Sequence, residues 1–173
     1  MDEIINRVAV SSLITFDLEE LYVKGDRMVF DIKDQLFEGV MLKEKDFRAF
    51  IKTHDWPHYQ GKHVAILCSA DAIVPTWAYM LLSVALQPFA ANVFFGSLVE
   101  LESYLFTKAL SSVKWDQYRD AKVVIKGCSK VQVPASAYVE ATNYLRPFAA
   151  SIMFGEACST VPLYKKSKTG ELG

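Results

Sequence analysis

The apolar positions of this chain fall into short runs separated by polar stretches rich in proline and glycine. His63 to Leu67 is a compact Val/Ile-bearing run, the signature of a strand buried on both faces. A polar loop follows, and Pro75 then opens a segment with apolar residues at Ala78, Leu81, Leu82 and Ala85. Those three- and four-residue spacings predict a packed helix, with Pro75 at its first position and Pro88 as its stop. A second apolar run, Ala91 to Phe95, ends at Gly96. The same order returns downstream, with Lys122 to Lys126, Pro134, Pro147, Ala150 to Phe154 and Gly155. Between the two, Leu98 to Leu110 has the length and spacing of a linking helix. Strands that alternate with helices imply an α/β fold, built on a mainly parallel sheet with right-handed crossover helices.

The second pass is more than similar patterning. Shifting the chain on itself by 59 positions aligns 15 identical residues within the 41 positions from 56 to 96. They include Trp56/Trp115, Tyr59/Tyr118, Pro75/Pro134, Tyr79/Tyr138, Pro88/Pro147 and Gly96/Gly155. That far exceeds the roughly one position in fifteen that shared composition yields. The strings VPTWAY and VPASAY, or PFAANVFFG and PFAASIMFG, carry the excess. The expectation is an internally duplicated domain with copies at about 56–96 and 115–155, too few for a solenoid.

The N-terminal third reads differently. Leu18 to Val23 and Met28 to Ile32 flank Lys24-Gly25-Asp26, a hairpin signal. Gln35 to Leu42 suggests a further strand, and Lys43 to Thr53 a helix. The expected division is a strand-rich, antiparallel N-terminal extension over 1–43, a duplicated α/β domain over 44–166, and a polar tail over 167–173.

Composition narrows the function classes without choosing one. A formal net charge of −1 offers no electrostatic basis for binding nucleic acid or an anionic membrane. The apolar stretch from Ala78 to Ala91 is interrupted by Ser83, Gln87 and Pro88 and is too short to span a bilayer. Met1 to Ala9 carries Asp2, Glu3 and Arg7 and lacks the order of a signal peptide, so the expected location is cytoplasmic. Three cysteines without an export signal fit free thiols or metal ligands better than a disulfide framework.

Those cysteines are the candidate chemistry. Cys68 and Cys128 close the first strand of each copy, one position out of register, and Cys158 follows the last strand; each precedes a serine. In a parallel sheet all three lie beyond the carboxyl ends of strands, the rim where ligands bind in open α/β folds. Helix N-termini after two of them favour thiolate over thiol. The expectation is a shared site for zinc or an iron–sulfur cluster, with Asp71 and Glu156 as candidates for a fourth ligand. Against it stands ordinary packing, since free cysteine is among the most buried residue types. Asp71 also fits a loop or helix-capping aspartate, and Glu156 a solvated loop carboxylate. His54, His58 and His63 fall at the opposite end of the first strand, as surface or packing residues. No C-x-x-C, G-x-G-x-x-G, Walker-type loop or G-x-S-x-G occurs. The repeated aromatics fit equivalent packing better than a pocket.

The strings CSADAIVPTWAYML, KGCS and FGEACSTVPLYKK, with LKEKDFR upstream, resemble a bacterial family known as domain of unknown function 2480. The resemblance covers nearly the whole chain and brings no established activity. It implies a setting among iron–sulfur cluster assembly genes, which agrees with Cys68, Cys128 and Cys158 as ligands. Three readings therefore compete. The first is a cysteine-ligated metal or cluster carrier working with iron–sulfur assembly proteins or a homodimer partner. The second is an enzyme using the Cys68 thiolate. The third is a structural or interaction protein with inert cysteines.

Overall fold

A computed structural model describes residues 13–127, 130–156 and 158–167. Seven strands and four α-helices alternate through them: β1 (Leu13–Asp17), β2 (Arg27–Asp31), α1 (Glu44–Thr53), β3 (His63–Leu67), α2 (Thr76–Leu86), β4 (Asn92–Phe95), α3 (Leu98–Ser111), β5 (Lys122–Lys126), α4 (Ala135–Leu145), β6 (Ser151–Glu156) and β7 (Ser159–Lys165). The fold is α/β. The chain divides into two compact units, one formed by residues 24–102 and the other by residues 1–23 with 103–173.

In the unit of residues 24–102, three parallel strands run in the order β2-β3-β4. Val64 and Ile66 of β3 are buried against Ala78, Leu82 and Leu86 of α2, Phe47 of α1 and Phe30 of β2. Pro75 is the N-cap of α2 and not its first helical residue: its ψ of 141° is extended, and the helix opens at Thr76. His63 is buried at the start of β3. Asn92 donates to its Nδ1 at 2.9 Å, so the imidazole carries its proton on Nε2 and donates to the Lys24 carbonyl at 2.8 Å. Gly25 makes room for this contact, with φ of +124° and a position where a Cβ would stand 2.8 Å from Nε2.

In the other unit the order is β1-β5-β6-β7, parallel except for the antiparallel β6–β7 pair. Val123 and Ile125 of β5 are buried with Ile152, Ala137, Ala141, Leu145, Phe106 and Phe16. Elements recur at the 59-residue offset. The strand pairing His63↔Asn92 has its equivalent in Lys122↔Ser151, and Pro75 caps α2 as Pro134 caps α4. The correspondence reaches further upstream than the sequence repeat. Phe47 and Phe106 are buried at equivalent places in α1 and α3, and the indoles of Trp56 and Trp115 donate to the carbonyls of Ile51 and Leu110.

The N-terminal strands do not pair as the sequence suggested. In place of a hairpin, β1 runs parallel to β5 and β2 runs parallel to β3, each in its own sheet. Leu18 to Leu21, expected as strand, forms a 3₁₀ turn. Burial explains the choice. Each strand carries the same Phe-Asp-apolar end, and Phe16 with Leu18 and Phe30 with Ile32 are buried in the cores of separate units. A two-stranded ribbon would leave those side chains in water, at about 1.5–3 kcal/mol each. Gln35 to Leu42 contributes a bridge between Phe37 and Met41, closed by Glu38 and Gly39 at positive φ.

Candidate functional site

Side chains at the carboxyl ends of parallel strands face the rim where α/β proteins place their ligands. In the unit of residues 24–102 this rim carries Asp31, Cys68, Ser69 and Tyr79. Asp31 ends β2 and caps the following 3₁₀ turn: its Oδ1 accepts the N–H groups of Lys33 and Ser69, each at 3.1 Å, while its Oδ2 accepts the Ser69 hydroxyl at 2.5 Å. Lys33 Nζ stands 3.5 Å from the same carboxylate. Burial raises the carboxyl pKa, but the Ser69 and Lys33 hydrogen bonds together outweigh it and hold Asp31 below the ordinary 3.8. The aspartate is a latch between β2 and the loop after β3.

Cys68 is half-buried against the apolar core of its unit, and its thiol donates to the Ala70 carbonyl at 3.5 Å. This arrangement suits a packed thiol. Tyr79 lies close enough to feel both groups: burial first, then the neighbouring Cys68 and Asp31, push its hydroxyl above the ordinary 10.0. Its ring meets Phe95 edge to face, with centroids 5.0 Å apart.

The other unit presents a related rim. By the 59-residue offset Gly127 stands where Cys68 does, and Cys128 where Ser69 does. Tyr138 meets Phe154 edge to face at 5.7 Å, and its hydroxyl lies where a Cβ on Gly127 would be 2.6 Å away. The one-position offset between the two cysteines in the sequence repeat is this exchange of glycine for cysteine.

The expected metal site does not form among the described residues. No group of three or more His, Cys, Asp and Glu side chains there is placed to hold a metal ion, which overturns zinc or an iron–sulfur cluster as cofactor and metal binding as the function. Cys68 belongs to one unit and packs in its core, whereas Cys158 is exposed in the turn between β6 and β7 of the other. Cys128 lies outside the described residues. Glu156 ends β6 and pairs with Lys126 at 3.4 Å, and Asp71 is exposed in the loop between β3 and α2. Of the histidines, His63 is a buried structural group, His54 packs among Phe30, Phe50, Trp56 and Tyr59, and His58 is exposed.

A family model described as Protein of unknown function (DUF2480) matches residues 2–166. The chain belongs to this family. As a DUF2480 protein it carries the cysteine strings within the matched span, so the residues that prompted the metal reading are part of the family region. No curated protein and no solved structure gives a significant match to it. Among the described residues no helix is long and apolar enough to cross a membrane.

Proposed function

We propose that this DUF2480 protein is an interaction module that associates with a second copy of itself through an uncharged face of the unit of residues 24–102. The observation that carries the reading is α2. This 11-residue helix, TWAYMLLSVAL, has no charged residue, and on its outward line Met80 and Val84 are 64% and 70% exposed. A helix that is apolar all round is normally covered on every side. Of fifteen large apolar side chains exposed among the described residues, ten lie in this unit, which favours it over the other as the contact surface.

A twofold interface sets one patch against itself, so a patch bearing charge would repel its mate. Thr76, Met80, Ser83, Val84 and Gln87 carry none. A standard interface covers about 800 Å² per partner, more than one short helix face provides. The reading therefore includes Val40, Met41 and Ile73, which are exposed and joined by the Ile73 N–H bond to the Val40 carbonyl. Cys68 has a packing role in this account. The matching elements also support descent from a duplicated module, with copies at 56–96 and 115–155 within residues 44–166.

Sedimentation equilibrium tests the association. The wild-type chain should form a dissociable dimer below about 100 µM, the range of functional weak complexes. The double variant Met80→Glu, Val84→Glu should be monomeric with an unchanged circular dichroism spectrum. A wild-type monomer throughout that range, or a folded double variant that still dimerises, would overturn the proposal.

A further inference from the structure

The unit formed by residues 1–23 and 103–173 holds an open cavity of about 430 Å³, lined by Ile125, Tyr138, Thr142, Phe154 and Leu163. Its walls come from the ends of β5 and β6, from one turn of α4, and from β7. Strand registry explains why these side chains meet: Ile125 pairs with Phe154, so both point to one face of the sheet, and Leu163 joins them from the antiparallel neighbour. Phe154 and Leu163 are 43% and 50% exposed at its mouth.

We infer that this cavity is a binding site for a small uncharged aromatic group. Three observations converge on that class. Among the described residues none of the lining side chains carries a charge, so an ionised ligand would lose its hydration without a partner there. The Thr142 hydroxyl already donates to the Tyr138 carbonyl at 2.7 Å, so the wall does not depend on a ligand to satisfy it. Tyr138 and Phe154 stand edge to face, with an interplanar angle of 82°, which gives an incoming ring both a face and an edge to pack on. Size sets the upper limit. An apolar cavity of about 150 Å³ accepts benzene, so this one accommodates a ring system of roughly a dozen non-hydrogen atoms. The cavity lies on the face of the sheet, between β5, β6 and β7 and the helix α4. The site is independent of the proposed self-association, which uses the other unit.

The test uses 5-fluoroindole as probe, followed by fluorine NMR on the full-length protein, with indole-3-acetate as the charged competitor. Saturable binding of 5-fluoroindole in the millimolar range or tighter is expected, with no displacement by indole-3-acetate. Leu163→Glu, at a half-exposed position on β7, should weaken binding about tenfold or more by placing a charge in the wall. Thr142→Phe should block binding by filling the space. Amide spectra of each variant establish that it is folded. Absence of saturable binding to the wild type, equal binding by folded Leu163→Glu, or displacement by indole-3-acetate would each overturn the assignment.

Discussion

Asp31 shows how one side chain joins two distant parts of the chain. Its carboxylate accepts two backbone N–H groups and one hydroxyl, and two of those three bonds reach 38 residues onward to Ser69. Asp31→Ala should cost about 1–2 kcal/mol in urea unfolding, the usual loss for a capping carboxylate. Because its folded pKa lies below 3.8, the stabilisation is present above that pH and is lost as pH falls through the folded value. His54 governs a milder range. Burial disfavours its imidazolium, Asp55 opposes this and nearby His58 adds to it, leaving a folded pKa below the ordinary 6.5. Below pH 6.5 the unfolded chain takes up a proton that folded His54 resists, so stability falls with acidification. His54→Phe keeps a ring among Phe30, Phe50 and Trp56 and should flatten the fall of the urea midpoint below pH 6.5. An unchanged slope would place the titration elsewhere.

At the scale of elements, the two tryptophans perform equivalent fastening. Each indole N–H donates to a carbonyl five residues earlier, at 2.8 Å from Trp56 and 3.1 Å from Trp115, tying the end of a helix to the turn that leads into a central strand. Trp56→Phe and Trp115→Phe should each leave a carbonyl without its indole partner and cost about 1–3 kcal/mol. Differential scanning calorimetry would measure both, and a large effect in only one would break the equivalence. These helices were legible in the sequence, since Lys43 to Thr53 and Leu98 to Leu110 come within one residue of α1 and α3. The strands at 63–67 and 122–126 were legible to the residue. Periodicity reports such elements because it depends on neighbours a few residues apart. The helix starts were off by one, because the prolines act through extended ψ as caps. Asp31 was missed as a functional residue. Its only sequence signal is the recurrence of Phe-Asp followed by an apolar residue at 16–18 and 30–32.

At the scale of the molecule, strand partnership has a direct test. Leu86 and Leu145, fully buried equivalents in α2 and α4, should each cost about 2–5 kcal/mol when changed to alanine. Native-state hydrogen exchange should then separate them. Amides of 13–17 should lose protection with Leu145→Ala, because β1 pairs with β5, and amides of 27–31 with Leu86→Ala, because β2 pairs with β3. Loss of both sets together in each variant would contradict two separately packed units. The sequence by itself determined the α/β class, the identity between segments 56–96 and 115–155, and the places of β3, β4, β5 and the four helices, since these rest on local spacing or on identity between segments. Tertiary structure alone decided which strands pair and where the cysteines stand. Leu13 pairs with Lys122 and not within a nearby hairpin, because burial of Phe16 and Leu18 outweighs the short loop. Cys68 packs into one core and Cys158 stays exposed in a turn of the other unit, because a side chain's surroundings come from residues far away in the chain that no spacing encodes.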